Sequence, residues 1–204
     1  MTRAVFLDRD GTLIEEVGYL DRLERLQLFP WSIDAVRLLN RAGFTVVVVS
    51  NQAGVARGFF AEPFVLEVQG EIDARVQAAG GRIDGWYYCP HHPDAPVARY
   101  RRQCECRKPR PGMIRQAEAD LGIDPSRSYV IGDRWLDVQL ARNVGARGIL
   151  VRTGYGATEE RQPPDGVAAE AIADNLIDAA AWILRNQNRG AKDQGAGIGD
   201  QGSG

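Results

Sequence analysis

An excess of charge of either sign is the first thing this 204-residue chain lacks: 25 Lys and Arg stand against 27 Asp and Glu, a formal net charge of -2. Without a basic surplus there is no general electrostatic reason to bind nucleic acid or an anionic membrane, so any basic site must be local. A long hydrophobic run is missing too. The opening stretch Ala4-Val5-Phe6-Leu7 meets charges at once and is too short for a secretory core or a membrane span, so the expected compartment is the cytoplasm. Cysteine is scarce. Cys89, Cys104 and Cys106 cannot all pair within one chain, and a disulfide scaffold does not suit a cytoplasmic protein long enough to bury a core. No Gly-x-Gly-x-x-Gly follows the first apolar run, which leaves dinucleotide binding unsupported. There is no internal repeat, and the inserts between polar motifs are too short for a lid domain.

What is present alternates strand and helix. Strands are expected at Ala4 to Leu7, Phe44 to Val49, Trp86 to Tyr88, Tyr129 to Ile131 and Gly148 to Val151. Phe44 to Val49 is a β-branched run without polar alternation, as in a central parallel strand covered on both faces. Apolar residues at helical spacing predict helices over Ser32 to Ala42, Glu62 to Gln77, Pro111 to Leu121, Asp137 to Asn143 and Leu176 to Leu184. Pro111 suits a first turn, and Gly43 and Gly122 suit helix ends. The expected fold is an α/β three-layer open sandwich with a mainly parallel sheet and no large cap. One domain is expected over residues 1–185, followed by a Gly-, Gln- and Asp-rich tail, 186–204, with too little apolar content to order.

In open parallel sheets ligands bind beyond the carboxyl ends of the strands, and the polar punctuation Asp8/Asp10, Ser50-Asn51 and Asp133 falls there. Side chains alternate along an extended segment, so Asp8 and Asp10 lean to one side, and Gly11 lets backbone amides approach an anion. One carboxylate can attack while the other handles the proton. By itself an Asp-x-Asp after a strand is more often a turn or capping device. A second cluster, Cys89-Pro90-His91-His92 with Cys104-Glu105-Cys106, offers three sulfurs and an imidazole, the set that a tetrahedral structural Zn²⁺ accepts. Cys89, His91, Cys104 and Cys106 are the expected ligands, with His92 the weaker choice. Residues 93–103 hold little apolar content, so a metal could fix a loop without a core of its own.

The order Asp8-x-Asp10-Gly-Thr, Ser50, Lys108, Gly132-Asp133-x-x-x-Asp137 resembles the haloacid-dehalogenase superfamily of phosphatases. The resemblance implies Mg²⁺ held by Asp8, the Asp10 carbonyl and Asp133, with Asp137 acting through water. It makes Asp8 the nucleophile, Asp10 the acid and base, and Ser50 with Lys108 the stabilisers of the phosphoryl group. The Cys-Pro-His-His-Pro loop closed by Cys-x-Cys-Arg-Lys-Pro is similar to the zinc-loop group that holds D-glycero-D-manno-heptose-1,7-bisphosphate 7-phosphatases and histidinol-phosphate phosphatases, and the similarity runs from Val5 to about Gly154. It implies substrate contacts at Glu16, Val17, Gly18, Tyr19, Ser50, Asn51, Gln52, Ala53, Arg107, Lys108 and Arg134. Arg107 favours the bisphosphate, whose second phosphate it could grip bidentately. Ser50 and Arg134 stand where relatives often carry Thr and Lys; hydroxyl and charge are retained. A phosphoryl-storing signalling module is the competing class, but an acid-base residue beside the nucleophile speeds loss of the stored group. The expectation is a Mg²⁺- and Zn²⁺-containing monomeric sugar-bisphosphate phosphatase without nucleic-acid or membrane partners.

Overall fold

The computed structural model describes residues 1–187. Six strands, β1 (Ala4–Leu7), β2 (Thr45–Asn51), β3 (Gly85–Cys89), β4 (Tyr129–Gly132), β5 (Arg147–Val151) and β6 (Ala171–Ala173), pair in the order β3-β2-β1-β4-β5-β6, every pair parallel. The seven α-helices among the described residues are α1 (Ser32–Arg41), α2 (Ala53–Arg57), α3 (Glu62–Ala78), α4 (Gly112–Leu121), α5 (Trp135–Val144), α6 (Gly156–Glu159) and α7 (Leu176–Asn186).

Strand alternation sorts the core into two layers. Val5 and Leu7 of β1 and Val46 and Val48 of β2 pack against α1, α3 and α7. Ala4, Phe6, Val47 and Val49 face the other way, onto α4 and α5. All four residues of β1 are completely buried, which is why that strand reads as a continuous apolar run. The three-layer parallel sandwich is therefore as expected. The chain builds outward from β1 through β2 to β3, then returns to start β4 on the other side of β1. The strand order reverses between β1 and β4, and crevices at such points bind ligands.

Four elements depart from expectation, the first being the four-residue α6, which no apolar periodicity announced. Helix α5 begins at Trp135, two residues early, because Asp137 caps it by accepting the Arg134 backbone N–H at 3.3 Å. Short β6 exposes Ile172 and buries only Ala173, so it carries no apolar signal. Helix α2 follows β2 directly; Gly54 is needed there because a Cβ would overlap the Phe60 ring. The tail expected from residue 186 meets α7, which Asn186 closes, and Gln187 accepts a hydrogen bond from Arg3 at 2.9 Å. Residues 188–204 lie outside the described part.

Candidate active site

The carboxyl ends of β1 and β4 bring three acids together. Asp8 leaves β1 with its N–H donating to the Ile131 carbonyl at 2.9 Å, Asp133 follows β4, and Asp137 sits in the first turn of α5. One oxygen from each lies within 4.8 Å of the others, and exposures are 8%, 1% and 0%. The close approach explains two glycines. A Cβ at Gly11, which has φ +79°, would overlap the Asp133 carboxylate, and one at Gly132 would overlap Asp137. Lys108, buried, points its ammonium between Asp8 Oδ1 (2.8 Å) and Asp137 Oδ1 (2.7 Å) and donates to the Val49 carbonyl at 3.1 Å.

One ammonium cannot balance three buried carboxylates. Burial, with the Asp137 and Asp10 charges added, pushes Asp8 up to about 7 although Lys108 opposes it. Burial and the Asp8 charge push Asp133 up to about 8 against a hydrogen bond from the Tyr155 N–H. For Lys108, burial works against the charged form and the carboxylates of Asp137 and Asp8 outweigh it, so its pKa rises. The donors are all oxygen, and among the described residues no N–H donates to the Asp10 carbonyl. This set fits a hard divalent cation such as Mg²⁺. Asp137 is engaged on both oxygens, Oδ1 ion-paired with the Lys108 ammonium at 2.7 Å though without a hydrogen bond of its own, and Oδ2 accepting the Arg134 N–H, which suits the indirect role expected of it.

A second polar network lies beside the first. Arg9, only 3% exposed, forks onto Asp10 through Nε to Oδ2 (3.0 Å) and Nη2 to Oδ1 (2.8 Å). Its Nη2 also donates to Gln52 Oε1 at 3.0 Å. Gln52 Nε2 in turn donates to Asp10 Oδ2 (2.9 Å) and Ser50 Oγ (2.5 Å). Asn51 clasps Lys108, accepting its backbone N–H (3.0 Å) and donating to its carbonyl (3.3 Å). Gln52 and Asn51 thus hold Asp10, Ser50 and Lys108 as well as lining the cleft.

That cleft encloses about 380 Å³ and is lined by Asp8, Asp10, Lys108 and Asp133 together with Glu16, Gly18, Tyr19, Asn51, Gln52, Ala53, Arg107 and Arg134. Burial and the Asp10 charge raise the Glu16 pKa. Arg134 lies over the Tyr155 ring, 4.0 Å from its centroid. Val17 does not line the cleft: its side chain packs on the main core and its carbonyl accepts from Arg25 at 2.9 Å. Ser50 lies behind the lining residues, 3% exposed.

Cys89, His91, Cys104 and Cys106 converge as well. Their sulfurs are 3.2–3.5 Å apart, and His91 Nδ1 lies 3.7 Å from Cys89 Sγ and 3.3 Å from Cys106 Sγ. A tetrahedral zinc with bonds of about 2.3 Å to sulfur and about 2.0 Å to nitrogen needs edges of roughly 3.8 Å between sulfurs and 3.5 Å from sulfur to nitrogen, so the set fits once the sulfurs open by about half an ångström or less. Burial raises the Cys89 and Cys106 thiols, and a bound cation would draw out their thiolates. The loop between these ligands is not without a core, contrary to expectation. Ala95 and Tyr100 are buried against Val55, Ala56 and Val65, and the Tyr88 and Tyr100 hydroxyls both donate to Glu62, at 2.7 and 2.6 Å.

A family model described as HAD-hydrolase-like matches residues 105–179. A D-glycero-beta-D-manno-heptose-1,7-bisphosphate 7-phosphatase from Yersinia pestis is 44% identical over 177 residues, covering 86% of this chain and 92% of that one. The chain belongs to this phosphatase family. The family member from Escherichia coli K12 is 40% identical, covering 90% of this chain and 95% of its own. A crystal structure of D,D-heptose 1,7-bisphosphate phosphatase from B. bronchiseptica, complexed with magnesium and phosphate, superposes with a TM-score of 0.79 at 29% identity, covering 90% of this chain and 99% of that one.

Arg9, Arg57 and Phe60, none of them an expected site residue, also line the cleft of this phosphatase family member, and so does His92, which was expected only as the weaker zinc ligand. Arg9 was findable in principle: an arginine between two aspartates of a strand end must either reach solvent or find a carboxylate. Arg57 and His92 carried no such signal, because α2 and the loop after β3 meet only in the folded chain.

Proposed function

We propose that this chain hydrolyses the 7-phosphate of D-glycero-β-D-manno-heptose 1,7-bisphosphate in the assembly of activated heptose for surface polysaccharide. The observation that carries the reading is the pairing of Asp8, salt-bridged to buried Lys108, with Asp10 in the same cleft, together with family membership over most of the chain.

Asp8 attacks phosphorus as the bond to the C7 oxygen breaks, and Asp10 gives that oxygen a proton. Water then attacks the aspartyl-phosphate, losing its proton to Asp10, and Asp8 regains its electron pair as phosphate leaves. Lys108 offsets the charge gathered at Asp8, and the Ser50 hydroxyl, accepting from Gln52, keeps its own proton for a phosphoryl oxygen. Mg²⁺, which Asp8, the Asp10 carbonyl and Asp133 would hold, supplies further neutralisation of the phosphoryl charge. Cys89, His91, Cys104 and Cys106 would hold Zn²⁺, which would fix the loop that carries Arg107. Arg107 spends one donor on the His91 carbonyl at 3.1 Å, leaving the rest of its fork for the second phosphate. Glu16, Gly18, Tyr19, Ala53 and Arg134 contact the sugar.

On this reading residues 1–185 form one domain, acting as a monomer on a dissolved sugar bisphosphate in the cytoplasm, with neither nucleic acid nor membrane as partner. Three cysteines gathered on one metal set suit a reducing compartment, and no helix of the described residues is long and apolar enough to cross a membrane. Phosphorus NMR of the reaction tests the substrate assignment. Heptose 1-phosphate and inorganic phosphate are the expected products, and loss of the anomeric phosphate would overturn it.

A further inference from the structure

We propose that Arg9 is a positioning residue for proton transfer, holding Asp10 and, through Gln52, the Ser50 hydroxyl in their working arrangement; this rests on the assignment of Asp10 as acid and base. A charged side chain that is 97% buried costs free energy unless it is paired, and the chemistry described above gives Arg9 no contact with the phosphoryl group. Its partners are all side chains that act on the reaction or hold those that do.

The hydrogen bonds have a direction. The guanidinium can only donate, so the 3.0 Å contact from Nη2 assigns the acceptor end of the Gln52 amide to Arg9. The amide nitrogen must then face Asp10 Oδ2 (2.9 Å) and Ser50 Oγ (2.5 Å). Because Ser50 Oγ accepts from that nitrogen, its own proton is free for an anion. Asp10 Oδ2 carries two donors and Oδ1 carries one, so Oδ1 is the oxygen with room to exchange a proton with the substrate oxygen or with water. Lysine offers no planar fork and cannot meet both Asp10 oxygens and Gln52 at once.

The two half-reactions separate the effect. When Asp8 attacks 4-nitrophenyl phosphate, the bond to the nitrophenolate oxygen breaks and that anion leaves without a proton, so this half is indifferent to how Asp10 is held. In the second half a water oxygen bonds to phosphorus, its proton passes to Asp10 Oδ1, and the bond to Asp8 breaks. A displaced Asp10 slows that step alone. Attack on an alkyl phosphate needs Asp10 in both halves.

The experiment is rapid-quench kinetics with Mg²⁺ on the full chain, comparing wild type, Arg9→Met, Arg9→Lys and Asp10→Asn. With 4-nitrophenyl phosphate, both Arg9 variants should show a burst of one nitrophenolate per active site and an acid-trappable phosphoenzyme. The following steady rate should be about a hundredfold lower, the scale of general acid-base assistance, with KM little changed. With heptose bisphosphate the same variants should lose turnover without a burst. Arg9→Lys retains the buried charge, so the answer does not depend on tolerance of a neutral replacement. If Asp10→Asn shows the burst while the Arg9 variants show either wild-type kinetics or a slowed first half, the role of Arg9 is overturned and Asp10 is left standing. Wild-type turnover in Asp10→Asn would overturn the acid-base assignment itself.

Discussion

The metal-free protein should lose stability as pH rises from 5 to 8, and Mg²⁺ should restore it. A carboxylate whose folded pKa lies above its unfolded value stabilises the fold while both states are protonated, and that contribution is lost as pH climbs through the folded pKa. Asp8 moves from 3.8 to about 7 and Asp133 from 3.8 to about 8, so the loss occupies roughly pH 4 to 8. At about 1.4 kcal/mol for each tenfold change in proton affinity, the rise of Asp8 from 3.8 to about 7 is on the order of 4 kcal/mol. The two acids face one another, so the pair shares this scale and does not double it. For a chain of this length about 4 kcal/mol corresponds to a Tm change of roughly 8–16 °C. His91 and His92 are pushed down by burial and by neighbouring arginines, which stabilises with rising pH and opposes the trend. The effect is therefore read as the difference between wild type and Asp133→Asn, by thermal unfolding after dialysis into Mg²⁺-free buffer without strong chelators. Asp133→Asn should be the more stable of the two at pH 8 without Mg²⁺ and should gain little when it is added. Equal pH dependence in both proteins, or no Mg²⁺-dependent gain in wild type at pH 8, would refute the reasoning.

Other perturbations should separate the parts. Cys104→Ser should lose stoichiometric zinc by elemental analysis and expose the loop over residues 89–106 to protease, while the packing of Tyr100 and Ala95 on α2 and α3 confines the damage; unfolding of the whole chain would contradict this. Arg107→Ala should raise KM for the bisphosphate about 10- to 100-fold, the scale of a charged hydrogen bond to phosphate, and leave turnover of 4-nitrophenyl phosphate near wild type. Asn51→Ala removes the clasp on the Lys108 backbone, at about 1 kcal/mol per hydrogen bond, and should lower kcat more than it changes KM; the opposite split would place Asn51 on the substrate alone.

The sheet was legible because its inner strands are apolar runs buried on both faces and β3 is a run of aromatics, and the helices on it because their apolar spacing is regular. Elements α2, α6 and β6 were not, since five, four and three residues hold too little periodicity to register. Asp8, Asp10 and Asp133 were legible because each sits at a strand end, where a polar residue interrupts an apolar run. Arg9 and Gln52 were harder: their roles depend on where a guanidinium and an amide point, which spacing does not encode. The zinc loop shows the reverse error. Its ligands stood out by chemistry, whereas its small core is assembled from Val55, Ala56 and Val65, which are distant in the chain. Val17 illustrates the limit of likeness by segment, because its neighbours line the cleft while its own side chain turns to the core.

The measurement that tests the central claim most directly is kcat/KM for D-glycero-β-D-manno-heptose 1,7-bisphosphate with Mg²⁺, on wild type and Asp8→Asn side by side. Efficient release of one phosphate per sugar by wild type, and none above background by Asp8→Asn with its fold intact, is the predicted result. Wild-type turnover by Asp8→Asn, or no turnover of the bisphosphate by either protein, would contradict it.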